Sequence, residues 1–256
     1  MVTPADVEAK LQSMFIDASG TSLRREDLKK AVEVAALLNE LARLGREGTL
    51  VDVAAGKSYL GLLAVELLGF ENLVVIEREE KRLADVRHAM RKLTRAAKIE
   101  LHHGDVAEPS FWPRSPAIVT ALHACGPASD AVIDAALACE ARWLLLVPCC
   151  YGATIPSWAT AKQRADELGM PGHSEVQKRF LHAFVDGERT LRLEAAGWET
   201  TVVPFVAPTV TPHNLLFRAR RLKEPRRMAG ASMQRHRLLG PHPNPLLKGL
   251  KGEGDT

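Results

Sequence analysis

The chain has 256 residues, of which 34 are Lys or Arg, 31 are Asp or Glu and 46% are apolar; this composition is ordinary for a globular protein and excludes disordered, collagen-like and disulfide-rich classes. No apolar run approaches the roughly 18 residues that a membrane-spanning helix needs, and the first ten residues lack the apolar stretch of a secretory signal. Four cysteines in a chain of this length do not suggest a disulfide framework and predict a protein of the reducing cytoplasm.

Two amphipathic helices are predicted for residues 5–46, because apolar residues recur there every three or four positions. From Thr49 onward, short strands rich in Val, Leu and Ile alternate with helices. The predicted strands are Thr49–Val53, Asn72–Ile76, Ile99–His103, Ala117–Leu122 and Trp143–Val147, and the helices between them are Ser58–Leu68, Glu79–Ala97 and Asp130–Ala138. Continuous apolar strands alternating with helices predict an α/β fold whose parallel sheet is covered on both faces.

The remainder of the chain is predicted to be helical over most of residues 151–197, with a break at Gly169–Gly172, and to close with strands at Thr200–Val206 and Asn214–Arg220. From Lys223 the sequence has no usable periodicity, and residues 218–256 carry ten basic and three acidic side chains. The sequence therefore predicts an N-terminal helical extension (1–46), a main domain (47–222) and a disordered basic tail (223–256). The excess positive charge lies in the tail, so charge gives no argument for nucleic-acid binding by the main domain.

The sharpest local signal is the turn after the first strand, Leu50-Val-Asp-Val-Ala-Ala-Gly-Lys-Ser-Tyr-Leu60. A phosphate-binding P-loop would need a glycine where Val51 stands, so that motif is not supported. Acids end the first three strands: Asp52, Glu77 and Asp105. Glu77 follows Gly56 by 21 residues, near the spacing of about 20 at which a carboxylate binds ribose hydroxyls in dinucleotide-binding folds. Since ligands bind at the carboxyl ends of parallel strands, these acids predict a nucleotide-like ligand.

Two later segments carry a family resemblance: Leu122-His-Ala-Cys-Gly126 and Val147-Pro-Cys-Cys-Tyr151. Residues 22–221 resemble a family of Rossmann-type S-adenosylmethionine-dependent methyltransferases. The resemblance rests on these two segments, on the turn after the first strand, and on the late segments Arg189–Trp198 and Thr211–Phe217. Similar strand ends occur in a group of tRNA ribose 2′-O-methyltransferases and in bacterial members of undefined substrate. The resemblance implies a mostly parallel sheet with an antiparallel C-terminal strand, and S-adenosylmethionine as the cofactor.

The resemblance also implies a set of cofactor-binding residues and no metal. That set is Asp52, Ala54, Gly56, Lys57, Glu77, Asp105, Val106 and His123. The chain departs from the family where Ala54 and Ser58 stand, since such methyltransferases usually carry glycine at both positions. These departures keep open a non-catalytic domain that retains only the cofactor pocket.

The candidate catalytic residues are His123, Cys149 and Cys150, which follow the fourth and fifth strands together with Cys125. Of the roles open to these cysteines, we favour that of shaping the pocket. The alternatives are a covalent nucleophile for methylation of a ring carbon, a zinc site, which adjacent cysteines suit poorly, and buried cysteines acting as small apolar residues. His123 is either the base for a hydroxyl acceptor or a hydrogen-bonded structural histidine.

RNA is the favoured substrate, and it is favoured by the resemblance alone. A row of basic residues at Arg87, Arg91, Arg95 and Lys98 is more typical of a solvated helix face than of an RNA-binding surface. Aromatic residues make up only 5% of the chain, too few to support a base-stacking platform. A small-molecule or protein substrate remains the alternative, and the sequence leaves the oligomeric state open.

Overall fold

The computed structural model of the protein describes residues 1–16 and 22–240. The chain divides into two compact units, one formed by Met1–Pro156 with Glu199–Arg221 and the other by Ser157–Trp198 with Leu222–Thr256. Within the described residues, no helix is both long and apolar enough to cross a membrane. The two units are described separately.

Among its described residues, the first unit has five α-helices and a seven-stranded sheet. The helices are α1 (Pro4–Leu11), α2 (Arg25–Leu44), α3 (Tyr59–Leu63), α4 (Glu80–Met90) and α5 (Ala128–Ala138). The strands are β1 (Thr49–Val53), β2 (Asn72–Glu77), β3 (Lys98–His103), β4 (Ile118–Ala124), β5 (Trp143–Pro148), β6 (Trp198–Pro204) and β7 (Leu215–Arg221). Helices α1 and α3 continue as π-helical turns, Gln12–Ile16 and Ala64–Leu68.

The sheet has the strand order β3-β2-β1-β4-β5-β7-β6. The first five of these strands are parallel neighbours, and β7 pairs antiparallel with β5. The predicted α/β sheet, mostly parallel with an antiparallel C-terminal strand, is confirmed. The strand order reverses between β1 and β4, and such a switch point opens a crevice at the carboxyl ends of the strands.

The two N-terminal helices belong to the core of this unit. Val7 and Leu11 of α1 and Leu38 and Leu41 of α2 are at most 1% exposed, and they join one apolar cluster with Leu50 of β1. At roughly 1.5–3 kcal/mol for each fully buried large apolar side chain, these contacts fix α2 against the sheet. Helices α1 and α2 are therefore part of the core that supports the sheet, and residues 17–21 lie outside the described residues.

Helix α4 ends earlier than the sequence predicted. The predicted helix Glu79–Ala97 stops at Met90, because the N–H of Thr94 donates to Glu66 Oε2 (2.9 Å) and the Thr94 hydroxyl donates to Glu66 Oε1 (2.8 Å). These bonds replace the helical bond to a backbone carbonyl. The predicted basic row therefore does not lie along one helix, and Arg95 Nε donates to the Glu66 carbonyl instead.

The second unit consists of helices α6 (Trp158–Glu167), α7 (Ser174–Ala195) and α8 (Pro225–Leu239). Helix α8 corrects the prediction of disorder, which covered residues 223–256, over Pro225–Leu239. Its contacts include two hydrogen bonds from Arg235 to buried Glu188 of α7, at 2.7 and 2.9 Å. A search for apolar periodicity misses a helix held partly by a charged contact. Residues 241–256 of the predicted tail lie outside the described residues.

Candidate functional site

A cavity of about 610 Å³ opens at the carboxyl ends of β1 to β4 in the first unit. Its walls come from the turns after β1, β2 and β3, the end of β4, the start of α5 and Cys150. Most of the predicted cofactor-binding residues line this cavity, namely Ala54, Gly56, Glu77, Asp105, Val106 and His123. Asp52, Lys57 and Cys149 are not among the lining residues.

The turn after β1 has a backbone suited to glycine at the two positions where the chain departs from the family. Ala54 has φ 50° and Ser58 has φ 52°, both in the left-handed region. A residue with a Cβ adopts this region at a cost of about 1–2 kcal/mol. The turn thus holds a left-handed backbone at both positions, and the two side chains are accommodated at that cost.

We expect Ala54→Gly to stabilise the chain by about 1 kcal/mol, because it removes the left-handed strain, and to raise the Tm by about 2–4 °C. Ser58→Gly is the matched comparison. It relieves the same strain but deletes the hydroxyl that donates to Asp52 at 2.7 Å, so its Tm should fall. Differential scanning calorimetry of both variants checks this, and a lower Tm for Ala54→Gly would contradict it.

Asp52 lies beneath the turn, 2% exposed, and organises it. Its Oδ2 accepts hydrogen bonds from the Ser58 hydroxyl (2.7 Å) and from the N–H of Gly61 (3.0 Å). Burial raises the pKa of Asp52 to about 6, although these hydrogen bonds partly oppose the shift. A Cβ at Gly61 would lie 2.8 Å from the same carboxylate, so this position requires glycine. The Asp52 carboxylate therefore shapes the loop, and its predicted role in cofactor binding stays a prediction.

Asp52→Asn is expected to change how stability depends on pH. The folded-state pKa of Asp52 is raised from 3.8 to about 6, so the folded chain holds this proton more tightly. The contribution of Asp52 to the free energy of unfolding therefore falls by about 3 kcal/mol as pH rises from about 4 to 6. Asn keeps one oxygen for Ser58 and Gly61 and carries no charge. Denaturant unfolding at several pH values should show the variant gaining stability relative to the native chain across this window; a constant difference would contradict the assignment.

Glu77 joins the ends of β1 and β2. Its Oε2 accepts the N–H of Gly56 at 2.6 Å, and its Oε1 accepts the N–H of Glu79 at 2.9 Å. The residue is 7% exposed and lines the cavity. Since an ionised carboxylate offers about four acceptor positions, two bonds to backbone N–H groups leave capacity for hydroxyl groups of a ligand. Glu77 thus both braces the turn and presents an acceptor to the cavity.

The other predicted cofactor-binding residues divide into two groups. Asp105 and Val106 line the cavity after β3, where Asp105 Oδ1 accepts the N–H of Ala107 at 2.9 Å. Lys57 instead lies outside it and pairs with Asp85 on α4 at 3.3 Å, with both side chains about 40% exposed. Such an exposed pair contributes little to stability, about 0–1 kcal/mol. The structure therefore brings Asp105 and Val106 to the candidate site and not Lys57.

His123 lies at a β-bulge near the end of β4. The register of β4 against β5 shifts between Leu122 and Ala124, and His123 has φ 66°. A bulge re-aims the side chain that it carries. His123 is among the residues that line the cavity, and its Nε2 lies 2.9 Å from Oε2 of Glu33 on α2.

Sequence reasoning missed Glu33. It is 4% exposed, and it occupies the helical row of the buried residues Leu37 and Leu41. An acid on an otherwise apolar helical row is the signal that could have identified it, because a buried carboxylate needs a partner.

Two of the four cysteines, which the sequence did not assign to a disulfide framework, form a single pair in the structure. Cys125 and Cys149 are joined, with their Cα atoms 5.4 Å apart, because β4 and β5 are neighbours and end side by side. The three sulfurs of Cys125, Cys149 and Cys150 lie within 4.8 Å of one another. With two of them bonded together, this set does not fit a zinc site. Cys150 remains a free thiol, exposed at the cavity.

Known proteins are similar to the part of the chain that contains the cavity. A family model described as a methyltransferase domain matches residues 26–154. A glutathione S-transferase C-terminal domain-containing protein of Xenopus laevis is 27% identical over 136 residues, which are 53% of this chain and 21% of that protein. The chain spans between 21% and 39% of the length of the curated relatives that it matches.

Two solved structures share the fold. A proposed RNA methyltransferase of Pyrococcus horikoshii aligns with a TM-score of 0.50 at 15% identity, over 87% of this chain and 99% of that one. A methyltransferase of Podospora anserina with bound S-adenosylhomocysteine aligns with a TM-score of 0.51 at 12% identity, over 86% and 87%. At these identities the likeness is one of fold.

Proposed function

Because the chain belongs to the methyltransferase-domain family, whose cofactor is S-adenosylmethionine, we propose that the cavity at the carboxyl ends of β1 to β4 binds this cofactor and that the chain transfers its methyl group to RNA. The observation that carries the proposal is the position of Glu77, whose carboxylate joins the β1 turn to the end of β2 and lines that cavity.

The residues of the cavity fit the cofactor. Its volume of about 610 Å³ lies in the usual range for small-molecule sites, about 300–1,000 Å³. Small residues, among them Ala54, Gly56 and Gly126, let a ligand approach the backbone. Glu77 would hold the ribose hydroxyls, and Asp105 and Val106 would lie beside the adenine. When bound, S-adenosylmethionine supplies an electrophilic methyl group on a sulfonium.

The case for RNA is the resemblance of Leu122–Gly126 and Val147–Tyr151 to tRNA ribose methyltransferases, together with a base at the cavity. A ribose hydroxyl must lose its proton to accept a methyl group, and His123 lines the cavity where such an acceptor would lie. A small molecule or a protein is the alternative substrate. The cytoplasmic location expected from the cysteine count stays a prediction, since the structure pairs two of the four cysteines.

We propose that Cys149 and Cys150 shape the cavity mouth rather than attack the acceptor. Cys149 is bonded to Cys125 and offers no thiolate, and Cys150 is the free thiol among the lining residues. Cys150→Ser keeps nearly the same side-chain volume, so turnover should fall only modestly. Cys139→Ser, outside this cavity, is the control. Complete loss of methyl transfer in a folded, cofactor-binding Cys150→Ser variant would instead indicate a covalent nucleophile and a ring-carbon acceptor.

Incubation with methyl-labelled S-adenosylmethionine and separate fractions of total RNA, protein and metabolites tests the proposed function. The expected result is label in RNA that is strongly reduced, at a cofactor concentration near the native Kd, when the Glu77→Ala variant replaces the native chain. Label in protein or in a metabolite would overturn the choice of RNA and keep the methyltransferase. Cofactor binding without label in any fraction would identify a non-catalytic cofactor-binding domain.

A further inference from the structure

We propose that Glu33 is the positioning residue of a carboxylate–imidazole pair in which His123 Nε2 carries the proton and Nδ1 is the proton-accepting atom at the cavity. The inference rests on the proposed function, because it assigns the atom that deprotonates a hydroxyl acceptor. Glu33 itself lies on α2, outside the residues that line the cavity.

The charge of Glu33 determines which atom donates the hydrogen bond between Glu33 and His123. Glu33 Oε2 lies 2.6 Å from Lys30 Nζ and 2.9 Å from His123 Nε2. Burial raises the pKa of Glu33, but the hydrogen bonds with His123 and Lys30 outweigh it and leave this pKa below its ordinary value. The carboxylate is therefore ionised at neutral pH and can only accept hydrogen bonds. The hydrogen in the contact with His123 must belong to Nε2, so a neutral His123 ring has an unprotonated Nδ1.

The backbone supports the same arrangement. His123 adopts φ 66° within the bulge of β4, a conformation that costs a residue with a Cβ about 1–2 kcal/mol. Such strain persists where the surroundings over-determine it, and the buried Glu33 carboxylate on α2 is one such constraint. Helix α2 is itself fixed by Leu37, Leu38 and Leu41, each fully buried. The ring is thus held from two sides, by its own strand and by a helix of the core.

The pair has a defined task in methyl transfer to oxygen. The acceptor hydroxyl gives its proton to Nδ1 of His123 as its oxygen forms the bond to the methyl carbon and the bond from that carbon to sulfur breaks. The products are a methyl ether, a thioether and an imidazolium. Glu33 stabilises the imidazolium through the Nε2 hydrogen bond, and the proton then leaves Nδ1 for solvent. The positive charge on the sulfonium is lost as the imidazolium gains one, so the charge balances.

Nitrogen-15 NMR of the histidine-labelled native chain tests the pair without any methyl acceptor, with His123→Asn used to assign the signals. The expected result is a neutral ring protonated at Nε2, whose N–H proton is protected from solvent exchange, and loss of that protection in Glu33→Ala. A native ring protonated at Nδ1, or an Nε2 proton that exchanges freely, would overturn the inference. Because this readout concerns the native chain, it stands even if a variant fails to fold.

Methyl-transfer rates give a second test, measured with the fraction that becomes labelled in the incubation described above. Glu33→Gln removes the charge at nearly constant volume and should lower kcat by about 10- to 100-fold with KM nearly unchanged. Glu40→Gln is the matched control, since it makes the same change on α2 at a residue that pairs with Arg218 and does not line the cavity. Native kcat in Glu33→Gln would overturn the inference. Failure of the proposed function would show instead as no labelled fraction, with the NMR signature of the pair intact.

Discussion

Glu77→Ala is expected to weaken binding of S-adenosylmethionine by about 1.5–3 kcal/mol, or roughly 10- to 150-fold in Kd, as for loss of hydrogen bonds to a charged group. The substitution removes the proposed ribose acceptor. It also leaves the N–H groups of Gly56 and Glu79 without their carboxylate partner, so the turn after β1 loses its brace to β2. Both losses act in the same direction, and isothermal titration calorimetry measures their sum.

Two further variants distinguish the loss of these contacts from a general disturbance of the fold. Glu77→Gln keeps one oxygen acceptor and should weaken binding less than alanine does. Lys57→Ala should leave the affinity unchanged, because Lys57 pairs with Asp85 outside the cavity. Unchanged affinity in a folded Glu77→Ala variant, or a loss in Lys57→Ala as large as that in Glu77→Ala, would contradict the assignment of the ribose site.

His123→Asn is expected to lower the rate of methyl transfer at saturating cofactor by about 10²–10⁴-fold, the usual contribution of a general base. Asparagine is among the residues that tolerate a positive φ, so the bulge at the end of β4 should persist. The substitution removes the proton-accepting nitrogen and the contact with Glu33 together. Initial rates at saturating cofactor, measured with the labelled fraction, show the effect.

His103→Asn is the control for this experiment. His103 is an exposed residue of β3 that contacts the carbonyl of Arg78 and does not line the cavity, so its variant should keep the native rate. A native rate in His123→Asn would remove His123 from catalysis and leave it a structural histidine.

The strands were predictable from the sequence because their signal is local. Leu73–Ile76 of β2 and Leu144–Val147 of β5 are continuous apolar runs, and a buried parallel strand has that pattern. Helix ends were less predictable, since they depend on distant partners. Helix α4 ends at Met90 because Glu66 bonds Thr94, which lies 28 residues away along the chain. Helix α8 was missed because its Arg235 contacts Glu188 on another helix.

The candidate site was predictable where it depends on topology alone. Glu77 and Asp105 end neighbouring strands, so a parallel sheet brings both to one crevice. The orientation of a side chain was not predictable: Asp52 lies one residue before the end of β1, yet its side chain turns beneath the loop toward Ser58. The pairing of Cys125 with Cys149 and of His123 with Glu33 depends on contacts between segments 24 and 90 residues apart. Single-sequence patterns carry no such information.

A crystal structure of the chain with S-adenosylhomocysteine tests the central claim most directly. The account predicts the ligand in the cavity at the carboxyl ends of β1 to β4, with its ribose hydroxyls within hydrogen-bond distance of the Glu77 carboxylate and its adenine beside Asp105 and Val106. The sulfur should lie on the side of the cavity that His123 and Cys150 line. A ligand bound elsewhere on the chain, or no binding at saturating concentration, would contradict the account.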